Sequence, residues 1–136
     1  MPTESERGGL PEGLCWIPIQ GDSMWPSLRA GDVAGVEPLK GEAAPGEVVL
    51  ARFPQALVVH RVRRWARGVC VLRGDNVPAE DPPVARAQVM GRVRWVRRGG
   101  VVLPSARWDV GPRRRGYWRV VVKRLLAAAL PGRRRP

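Results

Sequence analysis

The chain is cut into short apolar runs by glycine, proline and Gly-Asp pairs, and this punctuation limits its folds more than any other feature. Sixteen glycines and fourteen prolines stand among its 136 residues, while Phe and Tyr occur once each. Neither Gly nor Pro is well tolerated inside a helix, so most of the chain favours short strands joined by turns. The apolar runs are "LCWIPIQ" (14–20), a stretch over 33–37 that follows the Gly31-Asp32 turn, "VVLARF" (48–53) and "ALVVHRVRRW" (56–65). Only Pro54-Gln55 separates the last two, which predicts a hairpin. "GVCVLRGDN" (68–76) reads as another strand ending in a Gly-Asp turn, "VPAEDPPVA" as a proline-rich loop, and "QVMGRVRWV" (88–96) as a last strand broken by Gly91. Turn signals recurring every 8–12 residues or so predict a mainly β, antiparallel domain, and the length suits one domain of roughly 100–200 residues.

Charge divides the chain. Residues 1–91 carry ten Lys/Arg and eleven Asp/Glu, a net −1, whereas residues 92–136 carry fourteen Lys/Arg and one acid, Asp109, a net +13. The basic excess therefore belongs to the last third. There, Trp118, Val121, Val122, Leu125, Ala129 and Leu130 recur at helical spacing, with Arg115, Arg119, Lys123 and Arg124 on the other side and Pro131-Gly132 as the stop. This pattern predicts a basic amphipathic helix. The expected organisation is a flexible N-terminal segment (1–13), a β domain (14–105) and a basic tail with that helix (106–136).

Cys15 and Cys70 lack CxxC spacing and the chain has one histidine, so no zinc-ligand set is expected and no cofactor is implied. The two cysteines read as buried thiols. The N-terminus "MPTESERGGLPEG" is not a signal peptide, because a basic start followed by an apolar stretch is missing. No window approaches the ~20 apolar residues of a membrane span.

"GDSMWPSL" (21–28) sets Ser23 between a Gly-Asp turn and a proline, a way to hold a hydroxyl in one pose. A serine is a weak nucleophile and needs a base within hydrogen-bond reach. His60 in "LVVHRV" shares a strand face with Val58 and Val62, so it points to the apolar side. A neutral imidazole can take a serine proton, given an acid that fixes its tautomer. Asp75 in "RGDN" and Asp81 in "AEDPP" both follow the next strand and are candidates for that acid.

In order, "GDSMWPSLRAGD", "PGEVVLAR", "LVVHRV", "LRGDNVPAED" and "VMGRVRWV" resemble the five boxes of the signal peptidases, which share a fold with LexA-type self-cleaving repressors. The resemblance covers residues 16–96. Bacterial-type members use a lysine where this chain has His60, whereas the endoplasmic-reticulum and archaeal type uses histidine followed by two aspartates. The resemblance thus implies a serine endopeptidase with Ser23 as nucleophile, His60 as general base, Asp81 orienting it and Asp75 as a second supporting acid. Of the two lysines, Lys40 lies in a loop and Lys123 in the tail, both outside the base box.

Two departures stand out. Many signal peptidases carry Ser two places before the nucleophile, where this chain has Gly21, so backbone N–H groups at Ser23 are left to bind the oxyanion. Members also usually have a transmembrane helix just before the serine box; this chain does not, unless its true start lies upstream.

The implied substrate is a signal-type or leader peptide, bound as an added strand with small side chains next to the cut. The basic helix of residues 113–136 reads either as an anchor on anionic membrane surfaces or as a helix packed on the β core. The expected location is peripheral on a membrane or cytoplasmic. One alternative is a nucleic-acid-linked LexA-type regulator. Against it, no helix-turn-helix precedes residue 16 and no nucleic-acid module is recognisable. The other alternative is a non-catalytic peptide-binding relative, against which stand Ser23, His60 and both aspartates.

Overall fold

A computed structural model of the chain describes residues 13–112. The expected N-terminal segment, up to residue 12, and the amphipathic helix expected over 113–136 lie outside the described residues. Within them the protein is an antiparallel β structure: β1 (Cys15–Pro18), β2 (Val33–Pro38), β3 (Val48–Phe53), β4 (Ala56–Ala66), β5 (Val69–Arg73), β6 (Val84–Ala85), β7 (Val89–Arg98) and β8 (Val101–Pro104). A short 3-10 turn, Arg86–Gln88, precedes β7, and one helical turn, Ser105–Trp108, follows β8. No helix among the described residues is long and apolar enough to cross a membrane.

The strands hydrogen-bond in the order β1-β2-β7-β3-β4-β5-β6. β7 organises the sheet. One of its edges takes β2; the other takes β3 against Val89–Arg92 and β8 against Trp95–Arg98. Register shifts at Gly35/Val36, Leu50/Ala51 and Val62/Arg64 bend the sheet, as bulges do. The bend lets β3 bury both faces. Val48 and Leu50 join Met24, Leu28, Val96 and Trp108 in one core, while Val49 and Ala51 join Val62, Leu72, Val84 and Val89 in a second. A continuous apolar run such as "VVLA" is what a strand buried on both sides requires.

Several expectations change. Gly91 does not break β7: a Cβ there would lie 2.3 Å from the carbonyl oxygen of Glu37. Its role is to let β2 approach, so the strand runs on to Arg98. The proline-rich loop contains the two-residue β6, paired with β5. The strand ending near residue 96 is not the last, since the chain turns at Gly99-Gly100 into β8. The domain also extends past residue 105, because Trp108 is buried in the first core and donates from Nε1 to the Arg94 carbonyl at 3.2 Å. Cys70 is buried, but Cys15 is exposed at the start of β1, which has a strand partner on one side only among the described residues; both thiols are free.

Candidate active site

Ser23 is set by what lies on either side of it. Met24 and Leu28, four residues apart and joined by the Leu28 N–H to Met24 C=O bond (3.0 Å), drive into the first core. The Trp25 N–H closes back on the Asp22 carbonyl at 3.0 Å. Behind the turn, Arg98 forks onto Asp32 (3.0 and 2.8 Å) and also donates to the Ser27 carbonyl at 3.0 Å. From the front, the loop after β5 clasps it: the Asn76 N–H donates to the Ser23 carbonyl at 2.8 Å and Asn76 Nδ2 to the Asp22 carbonyl at 3.0 Å. Ser23 is thereby held with its hydroxyl toward β4.

His60 is 8 % exposed on β4. Its Nδ1 lies 2.5 Å from Asp81 Oδ2 and its Nε2 lies 3.0 Å from Ser23 Oγ. An ionised carboxylate can only accept, so Nδ1–H donates to Asp81 and a neutral ring keeps its Nε2 lone pair for the Ser23 hydroxyl. Asp81 is itself placed by its N–H, which donates to the Leu72 carbonyl of β5 at 2.8 Å. Gly74 forms the floor between these groups, with no room for a side chain: a Cβ there would lie 2.7 Å from the Ser23 carbonyl oxygen and 3.0 Å from His60 Nε2. Gly74 and Asn76 both stand in the "RGDN" box, where sequence alone reads only a Gly-Asp turn; their part in the site comes from contacts across the fold.

Asp75 does not join this chain of contacts. Its two carboxylate oxygens accept from Arg61 Nε and Nη2 at 2.8 and 2.7 Å. Adjacent strand residues point to opposite faces, so His60 and Arg61 each recruit their own carboxylate. Arg61, missed from the sequence, also forks onto Asp109 (3.1 and 2.8 Å) and donates to the Gly46 carbonyl at 2.8 Å. Burial works against its charge, but the bonds to Asp75 and Asp109 outweigh that and raise its pKa above the ordinary arginine value. Lys40 is exposed in the loop after β2. Gly21 contributes no hydroxyl, and among the described residues no acceptor takes the Ser23 N–H.

Ser23 and His60 open into a trough of about 510 Å³ with apolar walls from Ile17, Leu50, Leu57 and Val59. Among the described residues, two unpaired strand edges border it. Ile19 donates to the Asp32 carbonyl and accepts from Gly31, so by alternation Trp16 and Pro18 turn their main-chain groups away from β2. On β4, Val62 exchanges bonds with Glu47 and Gly46, so Leu57 and Val59 turn theirs away from β3. The pairing of β5 with β4 stops at Arg61, which leaves the β4 edge bare along the trough.

A family model described as Peptidase S24-like matches residues 3–94, more than half of the chain, and the chain belongs to that family. No curated protein and no solved structure matches it.

Proposed function

We propose that this member of the Peptidase S24-like family is a serine endopeptidase of the histidine-base type, with Ser23 as nucleophile, His60 as general base and Asp81 as the acid that orients it. The observation that carries the reading is the continuous chain Asp81–His60–Ser23, with contacts of 2.5 and 3.0 Å at the mouth of the trough. Ser23 Oγ attacks the scissile carbonyl while His60 Nε2 takes its proton. The imidazolium, stabilised by Asp81, then passes that proton to the leaving amine. Water repeats the sequence on the acyl-enzyme. The Ser23 N–H is the local donor for the oxyanion.

The substrate is an extended peptide lying between the bare edges of β1 and β4, where main-chain bonds supply affinity and the apolar walls supply selection. Pro18 has no N–H, so β1 offers only a carbonyl at that position. The apolar walls suit apolar side chains, and the resemblance to signal peptidases is what points to a signal- or leader-type peptide with small side chains next to the cut. For the basic segment 113–136 we propose attachment to an anionic membrane surface, supported by the net +13 after residue 91.

The test is hydrolysis of a leader-like peptide, beside labelling with a fluorophosphonate that reacts only with an activated serine. Ser23→Ala should lose both, and Asp81→Asn should retain only a small fraction of the rate, in the region of ~10⁻⁴ by analogy with other triads. Full cleavage by Ser23→Ala would refute the assignment.

A further inference from the structure

Arg61 stands next to His60, and its guanidinium is saturated. It has five N–H groups. Nε and Nη2 serve Asp75, Nη1 and Nη2 serve Asp109, and the remaining Nη1 donor serves the Gly46 carbonyl. Each carboxylate leads to a different part of the molecule. Asp75 belongs to the loop that clasps Ser23, and its N–H lies 3.3 Å from Met24 Sδ, next to the nucleophile. Asp109 belongs to the strap that follows the last helical turn. This strap has one more fastening on the core. The Val110 N–H donates to Ser27 Oγ at 3.1 Å, and Ser27 is fully buried in the nucleophile turn. Pro112, the last residue of the strap, borders the same small crevice as Arg61, Arg73 and Gly74, the same Gly74 that floors the Ser23–His60 contact.

We infer that Asp109 is a positioning residue: through Arg61 and Ser27 the strap Asp109–Pro112 holds the base strand and the nucleophile turn in register from behind. The inference rests on the serine-peptidase reading of Ser23 and His60. Its physical basis is that a planar guanidinium with every donor engaged has one orientation, and Asp109 supplies two of the five acceptors that fix it. Without Asp109, two donors lose their partner, the strap loses its charged fastening, and Asp75 with its loop is free to shift against β4. None of the strap's residues lines the trough, so its loss is expected to act on the alignment of Ser23 with His60 more than on the substrate walls.

The experiment uses the full chain and its single histidine, whose imidazole resonances can be assigned without ambiguity. Asp109→Asn keeps the volume but leaves one acceptor oxygen in place of two; Asp109→Ala removes both, and Asp109→Glu restores the charge. Asp109→Asn and Asp109→Ala are expected to lower kcat by about 10–100-fold, the scale of a sub-ångström to ångström misalignment, with KM changed less than about threefold. The His60 titration and its Nδ1–H signal should move in the same variants, and Asp109→Glu should recover part of both. Wild-type kcat and an unchanged His60 titration in Asp109→Asn would overturn the inference, even if thermal stability fell. Should the wild-type chain cleave no peptide, the peptidase reading fails by itself, and the His60 resonances still decide whether Asp109 governs the site.

Discussion

Gly74→Ala is the sharpest perturbation of the candidate site, because it adds one methyl group at its floor. That carbon would stand 2.7 Å from the Ser23 carbonyl oxygen, 2.9 Å from Val77 Cγ2 and 3.0 Å from His60 Nε2. Carbon–oxygen contacts in proteins settle near ~3.3–3.6 Å, so the Ser23 carbonyl has to move by more than about half an ångström. Val77 can yield by rotating, but the carbonyl is backbone, and it accepts the Asn76 N–H at 2.8 Å. Its displacement weakens a hydrogen bond worth about 0.5–1.5 kcal/mol, within the ~1–3 kcal/mol typical of overpacking. Displacing Ser23 or His60 by this much spoils the 3.0 Å contact between them, and a loss of about 10²-fold in kcat is expected. The assay pairs steady-state hydrolysis with urea denaturation: Gly74→Ala should remain folded, be destabilised by about 1–3 kcal/mol, and lose most of its rate. A variant with wild-type kcat would show that Ser23 and His60 do not depend on this floor, and the chemistry assigned to their contact would have to be withdrawn.

Burial, with a smaller contribution from Glu42, pushes the Cys70 thiol up to about 11, whereas Cys15 is exposed. At pH 8 the folded protein should therefore yield one fast-reacting thiol to a disulfide reagent and two after denaturation. Because the folded state keeps the Cys70 proton that the unfolded chain, with a thiol of ordinary pKa 9.0, releases, stability should fall as pH rises from about 9 toward about 11; a flat profile there would contradict the burial of Cys70. A chain ending after Pro112 keeps Trp108 and Asp109, so it should hydrolyse a soluble peptide yet lose flotation with anionic liposomes. Binding of the full chain should weaken only in part at high salt, since each Lys or Arg contributes about 1 kcal/mol of screened attraction while apolar burial is insensitive to salt. Tight binding to duplex DNA without liposome association would overturn the membrane proposal.

What was legible in the sequence, and what was not, follows the range of the forces involved. Strands bounded by Gly and Pro are written locally, and the hairpin between Phe53 and Ala56 sits where Pro54-Gln55 predicts it. Gly91 misleads for the opposite reason: a local rule reads it as a break, yet its purpose is an approach by Glu37 from another strand. β6 is invisible locally because two residues form a strand only when β5 lies beside them. The same distinction governs the site. Ser23, His60 and the two aspartates stand out by residue type, but no local pattern says which aspartate turns toward the histidine. The decision is made by Arg61. Standing next to His60 on β4, it faces the other side of the sheet with a buried charge, and a buried guanidinium without a carboxylate is strongly disfavoured. Asp75 meets that demand with both oxygens, and Asp109 completes it from a strap within the stretch expected as tail. Asp81, six positions after Asp75, is left for His60. The dipeptide His60-Arg61 is therefore the informative unit: of two neighbours on opposite faces, Arg61 engages Asp75 and Asp109, which leaves Asp81 to His60.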